Sequence, residues 1–183
     1  QQKALNRIQG AVRDMETLIE AFLILARDGD TGLPPEPLLA SEIVEDELEK
    51  ARPLVANKPV TLELDLEADF KLVAPRRVVS VLISNLVRNA CYYTDNGHVR
   101  IRVRFGEIRI EDTGIGMSPE QLERVFEPFW RADTARVGGQ GIGLSIVQRL
   151  SSRFGWPVHL ASESAKGTIA TVSFPQAEPP KLD

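Results

Sequence analysis

The chain has 183 residues, 43% of them hydrophobic and 26% charged, enough for one domain with a real core and too apolar for a disordered segment. Its net charge of −4 supplies no global basic field for nucleic acid, and no apolar run approaches the roughly 18 residues of a membrane span. A single cysteine, Cys91, excludes an internal disulfide and a cysteine-based zinc site, while two histidines in strand-like surroundings, His98 and His159, argue against a histidine-rich metal site. The N-terminus, Gln1-Gln2-Lys3-Ala4, has neither an initiator Met nor a signal-peptide pattern and reads as a piece of a longer protein.

Leu5, Ile8, Val12, Met15, Ile19, Phe22 and Ala26 recur at alternating spacings of three and four, the heptad seam of one long helix over 1–28. At ~1.5 Å per residue such a helix runs about 40 Å. The seam stops at a linker, so it reads as one strand of a helical bundle rather than a surface helix of the following domain. Asp28 to Pro37 holds two glycines and three prolines and marks the boundary, with a linker over 29–37 and a domain over 38–175. Ser41 is placed to N-cap a helix from Glu42 to about Ala56, whose acids sit early as the dipole prefers. Val60, Leu62, Leu64 and Leu66 alternate with polar residues, as in a strand with one buried face, and Phe70 to Val73 adds a short neighbour. Pro75 suits the first turn of a helix running to about Tyr93. A hairpin over 99–112 follows, then a loop-rich stretch over 113–140 with a short helix after Ser118-Pro119. A helix from about Leu144 to Phe154 and a last hairpin from Val158–Leu160 and Thr168–Phe174 complete the chain, with a loose polar tail over 176–183.

Four clusters carry possible chemistry. Asp112 ends a strand and is followed by Gly114 and Gly116, which can hold a small polar molecule against bare backbone or simply make a turn. Asn85 and Asn89 lie one helical turn apart on one face, with Tyr92 and Tyr93 a turn later and Val78, Val81, Leu82, Leu86 and Ala90 on the apolar side. Two amides there form either a structural network or a ligand site, and an Asn carbonyl suits a hard cation such as Mg²⁺. Gly138, Gly139, Gly141 and Gly143 open an amphipathic helix, where free amides and the dipole attract phosphate. No Lys-Ser or Lys-Thr follows, so it is not a Walker loop, and no strand leads into it as in a Rossmann fingerprint. Between them Val125, Phe126, Phe129 and Trp130 form an apolar patch expected to anchor a loop, and Arg131 follows within possible reach of a phosphate.

Singly these signals are weak, but their order is specific. Asn-x-x-x-Asn, Asp-x-Gly-x-Gly, Phe-x-x-Phe, Gly-x-Gly-x-Gly and the closing "KGTIATVSF" over 38–175 resemble the catalytic and ATP-binding domain of bacterial sensor histidine kinases, in the ATPase superfamily shared with gyrase and Hsp90. Segment 1–28 is similar to the second helix of that family's dimerisation and histidine-phosphotransfer hairpin. The resemblance implies an α/β (α+β) two-layer sandwich: a mixed sheet of about five strands, three helices on one face, and one long helix before it. It implies ATP and Mg²⁺ as ligands. Asp112 would accept a hydrogen bond from the adenine amino group, which disfavours guanine. Gly114 and Gly116 belong to the same box, Tyr93 would border the adenine pocket, and Thr168 would support its floor. Asn89 would bind Mg²⁺, with Asn85 beside the phosphates. Gly141, Gly143 and Leu144 would line the phosphates, and Arg131 would approach the terminal one. The implied partners are a cognate response regulator and a second copy through the helical hairpin, in the cytoplasmic part of a protein whose upstream segments reach the bacterial inner membrane.

Two departures stand out. Tyr92 occupies a position where the family usually has Lys, and Arg88 points in another helical direction from Asn89. No His followed by an acid precedes the seam, and neither His98 nor His159 has that setting, so this chain is expected to bind ATP without accepting its phosphoryl group. The alternatives are a degenerate nucleotide-binding module, which Tyr92 favours, and a gyrase- or Hsp90-type ATPase, which would need a Glu at Asn85 because an amide cannot activate water. Residues 131–140 are expected to form a lid that orders on nucleotide, and the seam of helix 1–28 to pair with a second copy, fold back or fray.

Overall fold

The computed structural model describes residues 33–131 and 141–180, together with positions 12, 15, 16, 19 and 23. Those five positions are helical, and Val12, Met15, Ile19 and Leu23 are exposed. The remainder of the N-terminal seam, its pairing, and the expected lid from 132 onward lie outside the described residues.

In chain order the elements are β1 (Glu36–Leu39), α1 (Ala40–Val55), β2 (Val60–Leu66), β3 (Lys71–Ala74), α2 (Arg76–Tyr93), β4 (Gly97–Arg104), β5 (Glu107–Asp112), α3 (Pro119–Arg124), α4 (Gly143–Phe154), β6 (Val158–Glu163) and β7 (Gly167–Ser173). Five strands form the main sheet in the order β2-β4-β5-β7-β6, with β2 parallel to β4 and the other pairs antiparallel. This is the expected mixed sheet.

Period-two alternation assigns its faces. Val99, Ile101, Val103, Ile108, Ile110, Ala170 and Val172 are buried beneath the helices. Between them Arg100, Arg102, Arg104, Arg109 and Glu111 point to the open side. There Arg100 pairs with Glu63 and Arg102 with Asp65, each opposite its partner in the parallel β2–β4 register, and Arg104 pairs with Glu67 just past the end of β2. One apolar face and one charged face is the two-layer solution.

Helices α1, α2 and α4 cover the apolar face, with α2 between the other two. That position explains why α2 buries more than one stripe. Val79, Ile83 and Val87 join Val78, Val81, Leu82, Leu86 and Ala90 in the core because neighbouring helices close both flanks. The short helix after Ser118-Pro119 forms as the sequence predicts: Ser118 Oγ accepts from Gln121 N, and Gln121 Oε1 accepts from Ser118 N, a capping box.

Three expectations are corrected. The 70–73 stretch does not pair with β2; β3 pairs antiparallel with β1, making a separate two-stranded sheet whose first strand runs from the end of the linker into the first residues of the domain. Ser41 is not the N-cap of α1. Leu39 holds that position, and the Asp69 carboxylate bonds Ser41 N (3.1 Å) and Ser41 Oγ (2.6 Å) instead. A carboxylate at the positive helix end satisfies both the dipole and an orphan amide. The tail is not loose at its start, because Lys71 and Glu178 exchange backbone hydrogen bonds of 2.7 and 2.9 Å at the free edge of β3. No helix of the described residues is long and apolar enough to cross a membrane.

Candidate functional site

Asp112 is the last residue of β5, opposite Val99 on one side and Thr168 on the other. Its Oδ1 accepts from Gly114 N (2.8 Å) and Thr168 N (3.3 Å). No described residue donates to Oδ2, so one oxygen is spent on holding the side chain and the other is available. Burial pushes the carboxyl up to about 6, against the opposing pull of the Gly114 and Thr168 amides. The buried Cys91 thiol is near enough to feel that charge. Burial first, and Asp112 as a lesser contributor, push it up to about 11, which leaves it an inert thiol.

The glycine turn after Asp112 is pinned to the end of α2. A Cβ on Gly114 would lie 2.5 Å from Tyr93 O, so only glycine lets the strand end pass this close. Ile115 N then donates to Tyr93 O (3.2 Å) and Ala165 N to Ile115 O (2.7 Å). Gly116 carries the chain on to Met117, whose N donates to Ser162 Oγ (2.9 Å), and that hydroxyl also meets Thr168 Oγ1 (2.9 Å). Thr168 thus serves Asp112 through its amide and braces the turn through its hydroxyl. Ser162 was not singled out in the sequence; a lone strand serine carries no signal.

At the other end of the site, Asn85 is buried, and its Nδ2 donates to Val81 O (2.7 Å) one turn back on its own helix. Its Oδ1 faces Gly143, where a Cβ would stand only 2.8 Å away. Glycine at the first position of α4 is therefore what seats that helix start against α2. Asn89 is half-buried, and its amide bonds no described residue. Asn85, Asn89 and Tyr93 stand at i, i+4 and i+8, one stripe down α2 that spans about 12 Å at ~1.5 Å per residue.

Helix α4 begins at Gly143 with Ile142 as N-cap, no side-chain cap and no acid in its first turn. No described residue accepts from its leading amides, an arrangement suited to an anion. Leu144 is half-buried and packs against the core, orienting that turn. Gly141 O accepts from Phe129 N (2.9 Å), and Gly141 lies against the Arg131 side-chain stem. The chain thereby brings Arg131 to the phosphate-type end. The aromatic box is corrected in part: Val125 is buried and Phe126 and Trp130 pack on the core, but Phe129 is 74% exposed with φ +66° and anchors nothing through its ring. Gly138 and Gly139 lie outside the described residues.

The sequence-predicted residues thus converge on one surface, which carries an ionisable acceptor at one end, an uncapped helix start at the other, and a free amide between. That arrangement can read a base by hydrogen bonding and hold phosphates by backbone amides.

Residues 74–178 match the family model described as histidine kinase-, DNA gyrase B-, and HSP90-like ATPase. The chain therefore belongs to that ATPase family. Within it the chain is a catalytic ATP-binding domain of the histidine kinase type. It is 31% identical over 186 residues to the phosphate regulon sensor protein PhoR of Pseudomonas aeruginosa, covering 96% of this chain and 42% of PhoR. It is also 31% identical over 147 residues to the sensor-like histidine kinase SenX3 of Mycolicibacterium smegmatis, covering 76% of this chain and 38% of SenX3. The chain spans less than half the length of both relatives. Among solved structures, full-length ShkA in complex with AMPPNP superposes with a TM-score of 0.74 at 25% identity, over 92% of this chain and 37% of ShkA. The mycobacterial sensor histidine kinase MprB shares the fold, with a TM-score of 0.68 at 23% identity, over 80% of this chain and 99% of that one.

Proposed function

We propose that this chain binds Mg²⁺-ATP and delivers the γ-phosphoryl group to a histidine on the dimerisation hairpin of a two-component sensor kinase, for relay to a response-regulator aspartate. The observation that carries this reading is the Asn85–Asn89–Tyr93 stripe, which joins the Asp112 turn to the uncapped start of α4 over about a nucleotide's length. Asp112 Oδ2 would take the adenine amino hydrogen, with Tyr93 at the pocket edge and Gly114 and Gly116 keeping the backbone clear of the base. Asn85, Gly141, Gly143 and Leu144 would line the phosphates, and Arg131 would meet the terminal one.

Mg²⁺ fits one protein ligand, the Asn89 carbonyl oxygen. The described residues contain no group of three or more His, Cys, Asp or Glu able to hold a metal, so its remaining ligands would be phosphate oxygens and water, as the ion prefers. In the transfer, an imidazole nitrogen of the acceptor histidine forms the new bond to phosphorus while the bond to the bridging oxygen of ADP breaks and ADP leaves. The residues here supply positioning and neutralisation, which is most of what phosphoryl transfer needs.

A hydrolytic reading is disfavoured because Asn85, whose Nδ2 is engaged by Val81 O, offers no base for water. A nucleotide-relay module without transfer is the second reading, supported by Tyr92, which stands where the resemblance implies a lysine and whose ring is edge-on to Tyr93 (5.0 Å, 87°). Incubation with γ-labelled ATP, Mg²⁺ and a supplied dimerisation hairpin separates the two. Label on the hairpin histidine supports the kinase, and ATP binding without label supports the relay module. Pairing through the helical hairpin, a response-regulator partner and a membrane-anchored whole protein belong to the same proposal, by analogy with sensor relatives such as PhoR.

A further inference from the structure

We infer that Lys58 is a positioning residue for base recognition, acting through the C-terminal end of α2. The last turn of a helix leaves its carbonyls without intrahelical partners. Here they are taken up by two different agents. Ala90 O accepts from Thr94 N (3.1 Å) and Thr94 Oγ1 (2.7 Å). Lys58 Nζ donates to Cys91 O (2.9 Å), Tyr92 O (3.2 Å) and Thr94 O (3.0 Å). Between the carbonyls that Lys58 takes lies Tyr93 O, which accepts Ile115 N from the glycine turn. All three ammonium hydrogens are thus used, and a cation sits where the helix dipole is negative.

Lys58 is itself held in place. Its N donates to Val55 O (2.9 Å) at the end of α1, and Gly97 N at the start of β4 donates to the neighbouring Pro59 O (3.0 Å). The backbone at 58–59 thus fixes this lysine between the ends of α1 and β4, and the ammonium reaches from there to the end of α2, on which the Asp112 turn hangs. Asp95 is a distant fourth partner at 3.7 Å on the exposed side.

Without the ammonium, Cys91 O, Tyr92 O and Thr94 O lose their donor, and the last turn of α2 must unwind or hydrate. Tyr93 O moves with that turn. Gly114 and Ile115 follow, and Gly114 N is one of the two amides that aim Asp112. Lys58 touches no ligand in this scheme. Its effect is confined to the base-reading end, because the phosphate-type end rests on Asn85, two turns back on α2, and on Gly143 at the start of α4.

This role rests on the nucleotide reading of the site, and the test separates the two. Lys58→Met and Lys58→Gln in the 183-residue chain are titrated with Mg-ATP and Mg-GTP, at temperatures where circular dichroism shows each folded. Wild type is expected to prefer ATP. Lys58→Met is expected to lose ATP affinity roughly tenfold with GTP affinity unchanged, the signature of one misaligned hydrogen bond. Lys58→Gln, which keeps two donors, should fall between. Ser41→Ala is the control: it removes a hydroxyl bonded to Asp69 far from the site, and should lower Tm without moving the ATP-to-GTP ratio. A wild-type ratio in folded Lys58→Met overturns the role of Lys58 and leaves the site reading intact. Should Lys58→Met not fold, a wild-type ratio in Lys58→Gln overturns it equally. A wild-type chain indifferent to the base overturns the site reading, and the role of Lys58 with it.

Discussion

The start of α1 and the start of α4 are both helix N-termini on the same face of one sheet, yet their polar groups meet different fates. At α1, Asp69 bonds Ser41 N and Oγ, Phe70 O accepts from Ala40 N, and the adjoining β3 edge is closed by Glu178. Donors and acceptors there satisfy each other. At α4 no side chain caps the helix, Asn89 bonds no described residue, and Asp112 keeps one oxygen uncommitted. Burying polar groups unsatisfied is costly, so leaving them so on a half-open surface is compatible with folding only where solvent or a ligand completes them. On the proposed reading the first region is scaffold and the second is site, and the distinction lies in which hydrogen bonds are closed internally.

Asp112→Asn should break the second region most severely. It places an amide where the uncommitted acceptor stands. Transition from an acceptor to an ambiguous group is expected to weaken ATP binding by about 1–3 kcal/mol and to erase base preference, with the fold intact by circular dichroism. Gly143→Ala should come next. Its Cβ would stand 2.8 Å from Asn85 Oδ1, so the α4 start must retreat. Roughly tenfold weaker ATP binding with adenosine binding unchanged is the expected calorimetric result.

Asp69→Ala should do the reverse. Losing the α1 cap is expected to cost about 1–2 kcal/mol in urea denaturation while the folded protein binds ATP as before. A coupled loss of binding would mean the two regions are not separable.

The smallest effect is in pH. Asp112 has a folded value of about 6, raised by burial above its ordinary value of 3.8. Its contribution to stability is therefore fully present below the unfolded value and is lost as pH rises through about 6. Binding runs the other way, because the ionised carboxylate is the better acceptor. Adenosine, which has no phosphate titrating in the same range, should bind more weakly as pH falls through about 6, and Asp112→Asn should flatten that profile. A flat wild-type profile would mean that Asp112 does not face the base.

The fold was largely legible because its strands alternate cleanly. Val99-Arg100-Ile101-Arg102-Val103 can bury only one face, and the register with Glu63 and Asp65 then fixes the charged side. The Asn85–Asn89 spacing and Asp112-x-Gly114 were legible as motifs, since helix period and turn chemistry are local. What escaped was long-range. Nothing near Ser41 announces that Asp69, from another turn, will cap its helix. Nothing near Phe70 chooses between β2 and β1 as its strand's partner. Lys58 looks like an ordinary turn lysine until three carbonyls 33 to 36 residues away converge on it. Phe129 reads as an anchor, but its left-handed backbone turns the ring outward.

Calorimetric titration of the unmodified 183-residue chain with Mg-ATP and Mg-GTP side by side tests the central claim most directly. An uncommitted Asp112 acceptor at one end of the α2 stripe and free α4 amides at the other predict saturable ATP binding, with GTP at least tenfold weaker. Equal affinity for the two, or no binding of either, would contradict the assignment of Asp112 as the residue that reads the base.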